Sequence, residues 1–172
     1  GSEMCIRDRP GTLTISQADG MKVSAQNVVK VYDGSFYGVT ATADKAGATI
    51  KYWNETTNAY DLDESPKIKD VDDSVLTVKF QATHPNYNTV TGEATVTITA
   101  RPIEITADSS TDNVYDGNEK KVETSQITSD LKLVGDATYT VTFVNNTRTE
   151  AGSQEVTVKD AVVTGDKQST YS

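Results

Sequence analysis

One histidine, His84, and one cysteine, Cys5, bound the chemistry this chain can do. A Ser-His-Asp or Cys-His site needs an imidazole beside a nucleophile. His84 is followed by Pro85 in a turn-forming stretch with no nucleophile near it in sequence, so it reads as a solvated turn residue. A zinc site takes three or four ligands, more than one histidine and one terminal cysteine supply. Hard cations prefer carboxylate oxygens, and Asp61, Asp63, Glu64, Asp70, Asp72 and Asp73 cluster around one loop. Their spacing is not that of an EF-hand, and such a run more often forms a solvated acidic face. The expectation is therefore no cofactor, with Asp61, Asp63, Asp70, Asp72 and Asp73 as calcium candidates. Trp53, Tyr60 and Tyr87 could stack on sugar rings if their loops converged. A Lys-to-Asn isopeptide bond needs a buried lysine, and Lys79 falls on the polar side of its strand. No catalytic residue is expected.

The elements that hold these residues repeat. Val31-Tyr32-Asp33-Gly34 returns as Val114-Tyr115-Asp116-Gly117, and Met21-Lys22-Val23-Ser24-Ala25 upstream matches Ile103-Glu104-Ile105-Thr106-Ala107 in phase. The repeat unit is thus about 80 residues, long enough for a module with a modest core. A chain rich in Thr and Val and poor in Leu favours half-buried strands, and the fold class expected is all-β: two tandem Ig-like β-sandwich modules. Tyr32 and Tyr115 read as rings packed at a corner with their hydroxyls bonded. Asp33-Gly34 and Asp116-Gly117 supply the turn geometry. In the first unit Asp33-Gly34 predicts a hairpin returning through residues 36–43. Residues 48–53 form a strand with Ile50 and Tyr52 on one face and Trp53 either on the other or closing one end of the core, residues 54–66 a loop, and residues 75–82 the clearest strand, paired with residues 93–99. In the second unit, strands are expected at residues 103–107, 120–124, 138–144 and 155–159, then Val162-Val163. A counterpart of residues 93–99 is missing, so this unit reads as truncated.

Four segments follow. Residues 1–9 read as a non-native tail, Gly1-Ser2 as an expression scar and the rest as translated adaptor sequence. Residues 10–20 are a terminal strand of a preceding repeat plus connector, with Leu13 and Ile15 on one face and Thr12, Thr14 and Ser16 on the other. The first repeat spans residues 21–101 and the second 102–172, with almost no linker at Arg101-Pro102, an arrangement that favours a stiff array. A net charge of −9 and the absence of a Lys or Arg run disfavour nucleic acid and anionic membranes. No stretch is apolar enough to insert into a membrane, no signal peptide is evident, and the chain reads as an internal fragment.

Lys30-Val31-Tyr32-Asp33-Gly34 and Asn113-Val114-Tyr115-Asp116-Gly117, with the strand Gly11-Thr12-Leu13-Thr14-Ile15, resemble the YDG and MBG-type repeats of large bacterial surface proteins. The resemblance runs from Pro10 onward. It implies an extracellular, cell-wall-anchored stalk or adhesin region, often on anaerobic Gram-positive bacteria, without catalytic role, whose partners are neighbouring repeats. The acidic loop of the first unit, absent from the second, departs from a uniform array. Three functions follow as expectations: a spacer that presents a distal binding domain, direct adhesion to host glycan or matrix protein, and an accessory carbohydrate-binding module of an extracellular enzyme. A unit without its last strand also leaves an open edge. Leu13 and Ile15 of another molecule are expected to fill it by head-to-tail strand addition, with packing of residues 12–16 on their own first unit as the alternative.

Overall fold

The computed structural model describes residues 8–172, and Cys5 and the rest of residues 1–7 of the expected tail lie outside the described residues. The chain is all-β and sandwich-like, and the only helical turns among the described residues are two short 3-10 segments, Val71–Asp73 and Gln168–Thr170.

The first half holds β1 (Val23–Ser24), β2 (Val28–Val31), β3 (Thr42–Ala43), β4 (Thr49–Asn54), β5 (Ala59–Leu62), β6 (Leu76–His84) and β7 (Tyr87–Thr99). They form a five-stranded sheet of order β2-β7-β6-β4-β5 and a separate β1-β3 pair. The period-two pattern of β6 and β7 dictates what is buried. Their antiparallel register sets Leu76 opposite Val96 and Val78 opposite Ala94. Val78, Phe80, Ala82, Ala94, Val96 and Ile98 thereby line one dry face. Tyr52 of β4 joins them, and its hydroxyl accepts the Ala41 N–H at 2.9 Å, so this buried phenol is satisfied. Val39, Ala41 and Ile68 cover the same face, with Val23 and Ala25 packed against it.

Three expectations need correction here. Asp33-Gly34 does not make a hairpin: β2 runs parallel to β7, with Val28 opposite Val96 and Val31 opposite Thr99. Both kinds of primed turn need positive φ at the first central residue, whereas Asp33 stays in the ordinary region and only Gly34, at φ +80°, is positive. Parallel pairing demands a long crossover. Residues 36–41 accordingly leave the sheet to roof the core, Tyr37 bridging Ile68 and β3 pairing with β1. Residues 54–66 are not all loop either. They contain β5, which pairs with β4 around a turn where Asn58 takes φ +51°. The alternative that residues 12–16 pack on their own first unit, finally, does not hold: Leu13 is 90% and Ile15 88% exposed. In the first half β7 already fills the position such a strand would take, so the chain makes backbone contact only from Ala18, which bridges Tyr87 in parallel.

The second half contains β8 (Ile105–Ala107), β9 (Lys120–Lys121), β10 (Ser125–Ile127), β11 (Thr138–Val144), β12 (Thr147–Arg148) and β13 (Thr157–Thr164), in the pairs β8-β10, β9-β12 and β11-β13. Residues 120–124 yield only the two-residue β9, while residues 155–159 and Val162-Val163 merge into β13 through an irregularity at Thr142/Phe143. The pairings echo the first half. β8-β10 corresponds to β1-β3 and β11-β13 to β4-β6, and Asn145 takes φ +58° before β12 as Asn58 does before β5. The parallel bridge of Arg101 with Tyr171 matches that of Ala18 with Tyr87. Tyr171 therefore stands where β7 begins, but no strand lies along the far edge of β13 among the described residues. The consequence is visible in burial: Tyr139, Val141, Phe143, Val158, Ala161 and Val163 alternate correctly yet are only half-buried.

Candidate functional site

The two halves meet at Tyr32. This residue directly follows β2, is 6% exposed, and lays its ring edge-to-face on Tyr171, with centroids 6.1 Å apart and planes at 80°. Its hydroxyl donates to Asp166 Oδ1 at 3.3 Å, while the Tyr171 hydroxyl donates to Asp166 Oδ2 at 2.9 Å and accepts the Val134 N–H at 3.0 Å. Arg101, at the joint itself, ties both halves to the backbone. Its Nη1 donates to the Tyr32 carbonyl at 3.1 Å and its Nε to the Lys132 carbonyl at 2.6 Å. Val134 and Tyr171 of the second half pack onto the core of the first. Lys167 Nζ lies 3.7 Å from Asp70 and 3.9 Å from Asp72, adding an exposed electrostatic contact worth little alone. Burial, followed by the Asp166 carboxylate, pushes the Tyr32 hydroxyl up to about 12. Burial is also the leading cause that raises Tyr171.

The two Tyr-Asp-Gly copies share a backbone and differ in company. Gly34 and Gly117 have φ of +80° and +79°. Asp33 Oδ1 accepts the Ser35 N–H at 2.8 Å and Asp116 Oδ1 the Asn118 N–H at 2.9 Å, the same Asx turn twice. The other carboxylate oxygen holds the side chain four residues on: Tyr37 in the first copy, Lys120 at 2.8 Å in the second. The Tyr37 hydroxyl is the main cause that lowers Asp33, and Lys120 leads in holding Asp116 down at about 2. Tyr32, however, is buried and bonded, whereas Tyr115 is 63% exposed. The expectation of two like packed corners is corrected for Tyr115. Val28 to Val31 gain a partner in β7, but residues 111–114 have none, so the second ring has no floor to pack on.

The acidic residues are dispersed among separate partners. Asp61 accepts the Thr57 hydroxyl at 2.6 Å, which lowers its pKa, Asp63 pairs with Lys51, and Asp70 and Asp72 face Lys167. The Asp73 N–H closes a 3-10 turn on the Asp70 carbonyl. Among the described residues no group of three or more His, Cys, Asp or Glu side chains is placed to hold a metal ion. Trp53 and Tyr60 do meet, edge-to-face with centroids 5.1 Å apart. Tyr87 instead pairs with His84 at 5.0 Å and lies under the Lys45 ammonium. Trp53 and Tyr87 are separated by about five strand positions, roughly 17 Å along the sheet, so the three aromatics do not form one platform. His84 Nδ1 accepts the Asn86 N–H at 3.0 Å, and Nε2 lies 2.9 Å from the Ala46 carbonyl, to which it donates as the protonated nitrogen. The imidazole thus pins a turn.

Sequence reasoning missed Arg101, Asp166, Lys167 and Tyr171. The signal for Arg101 was its place as the cation at the repeat boundary, and for Tyr171 its parallel to Tyr87. Comparison of the chain with protein families, with characterised proteins and with solved structures finds no match.

Proposed function

We propose that this chain is a non-enzymatic spacer: two tandem β-modules from the stalk of a bacterial cell-surface adhesin, resembling YDG and MBG-type repeats, that carry a distal binding domain away from the cell wall. The observation that supports it most is the joint. Arg101 bonds carbonyls on both sides, and Tyr32 rests on Tyr171, so a boundary with almost no linker also has side chains that resist bending. A stalk transmits reach only if its joints are stiff, because free backbone dihedrals between modules shorten the mean end-to-end distance. Small-angle scattering tests the reading. The wild type should fit one rigid arrangement and Arg101→Ala a broader distribution of distances. A wild-type curve that only an ensemble of orientations can fit would end it. Labelling of intact source cells with an antibody to this chain tests the surface location separately.

A second reading, direct adhesion to a glycan, is favoured by the Trp53–Tyr60 pair, which stands beside the Lys51–Asp63 ion pair on the sheet face opposite the core. Trp53 is the sole tryptophan. Saturable change in its emission on titration with array-selected glycans would replace the spacer reading, or add to it if the scattering result also holds.

A further inference from the structure

A groove of about 670 Å³ opens in the second half between residues 106–115 and 146–156, with Val114, Tyr115, Val122 and Val156 on its walls. It occupies the place that β7 fills in the first half. There, Val96 lies between Leu76 of β6 and Val28 of β2. In the second half the register of β11 with β13, allowing for its irregularity, makes Val156 the counterpart of Leu76. The spacing from Tyr32 to Tyr115 carries Val28 to Thr111 and Val31 to Val114.

The same spacing separates Thr12 from Thr95. Thr12-Leu13-Thr14-Ile15-Ser16 then aligns with Thr95-Val96-Thr97-Ile98-Thr99, apolar residue for apolar residue. Val96 and Ile98 are buried, at 0% and 2% exposure, while Leu13 and Ile15 are almost bare. Residues 12–16 are therefore, unpaired, a second version of a strand that has no counterpart beside β13 among the described residues. We infer that the groove is a strand acceptor and that its occupant is residues 11–16 of a second copy. That strand would run antiparallel to β13 and parallel to residues 111–114, with Leu13 between Val156 and Thr111 and Ile15 beside Asn113. Main-chain hydrogen bonds would satisfy both open edges, the two apolar side chains would enter the half-buried face, and Tyr115 would gain the floor that Tyr32 has. Donor and acceptor lie on different halves, so the contact is heterologous and propagates head to tail. The inference is separate from the spacer reading and stands if the chain binds glycan instead.

The test uses the full chain and a double variant, Leu13→Asp with Ile15→Asp, whose substitutions sit in an exposed segment and leave the fold intact. In sedimentation velocity the wild type should gain mass with concentration, at least doubling at the highest, while the double variant stays monomeric with an unchanged circular dichroism spectrum. The double variant keeps its acceptor. A synthetic peptide of residues 10–17 should therefore bind it and slow hydrogen exchange at residues 111–114 and 156–158. Equal masses for the two proteins, or peptide protection absent or confined to other segments, overturns the assignment.

Discussion

At the residue scale, Tyr32 and Tyr115 show how one motif is given unequal work by its neighbours. Both follow a Val and precede an Asp-Gly corner of the same geometry, yet only Tyr32 is buried. Truncation should expose the difference. Tyr32→Ala removes a core ring and is expected to destabilise by about 3–5 kcal/mol, whereas Tyr115→Ala should stay within about 0.5 kcal/mol. Urea denaturation of the two variants measures both, and equal losses would contradict the burial. The titration of Tyr32 gives a second handle. Its folded value of about 12 lies above the ordinary 10.0, so the stabilisation is fully present below pH 10 and is lost as pH rises through 12. Tyr32→Phe should raise the pH of alkaline unfolding, followed by circular dichroism alongside phenolate absorbance. An unchanged midpoint would show that another group drives it. Asp116 has the opposite sign: held at about 2, it favours the folded state above its unfolded value of 3.8 and loses that contribution as pH falls through 2. Because the carboxylate is solvent-exposed, the effect belongs in an NMR titration, where Lys120→Ala should move the Asp116 carboxyl upward and added salt should do part of the same.

At the element scale, β6 and β7 carry the fold, and Gly92 shows how tightly they are fitted. Gly92 lies opposite Phe80 in the register, and a Cβ there would come within 2.7 Å of the Phe80 ring, itself 1% exposed. Gly92→Ala must displace a ring with nowhere to go. It should cost about 1–3 kcal/mol, read as a lowered thermal midpoint, and an unchanged midpoint would mean the ring can shift freely. These two strands were legible in the sequence because Leu76, Val78, Phe80 and Ala82, and then Ala94, Val96 and Ile98, alternate without interruption, and alternation is a local signal. β11 was legible for the same reason. β5, with Asp61 among four residues, and the two-residue β12 lack any run long enough to show a period. The hairpin read from Asp33-Gly34 failed for a different reason. A corner dipeptide specifies local φ, but the partner of β2 lies far down the chain, and parallel pairing leaves no local mark. The joint was illegible on the same ground, since Arg101 and the Tyr32 carbonyl are 69 residues apart.

At the scale of the whole molecule, the two halves share a plan and differ in what they bury. The first has a continuous dry core from Tyr32 to Ile98, completed by Val134 and Tyr171 from its neighbour. The second has the matching strands but keeps its apolar residues half-buried, Thr170 being its sole fully covered side chain. Local stability follows buried apolar contact, so the halves should not unfold together. Trp53 reports on the first half alone, because no other tryptophan exists, whereas far-ultraviolet circular dichroism sums over both. In urea the dichroism should begin to fall before the Trp53 emission shifts, leaving a first half that still reads as folded while β8 to β13 have melted. Loss of the second half also strips Val134 and Tyr171 from the first core and exposes Tyr32. The second transition should accordingly come earlier in Tyr32→Ala than in the wild type, by the share of core that ring still holds. Superimposable curves from the two probes would instead mean that Arg101 and the Tyr32–Tyr171 contact couple the halves strongly enough to make one cooperative unit.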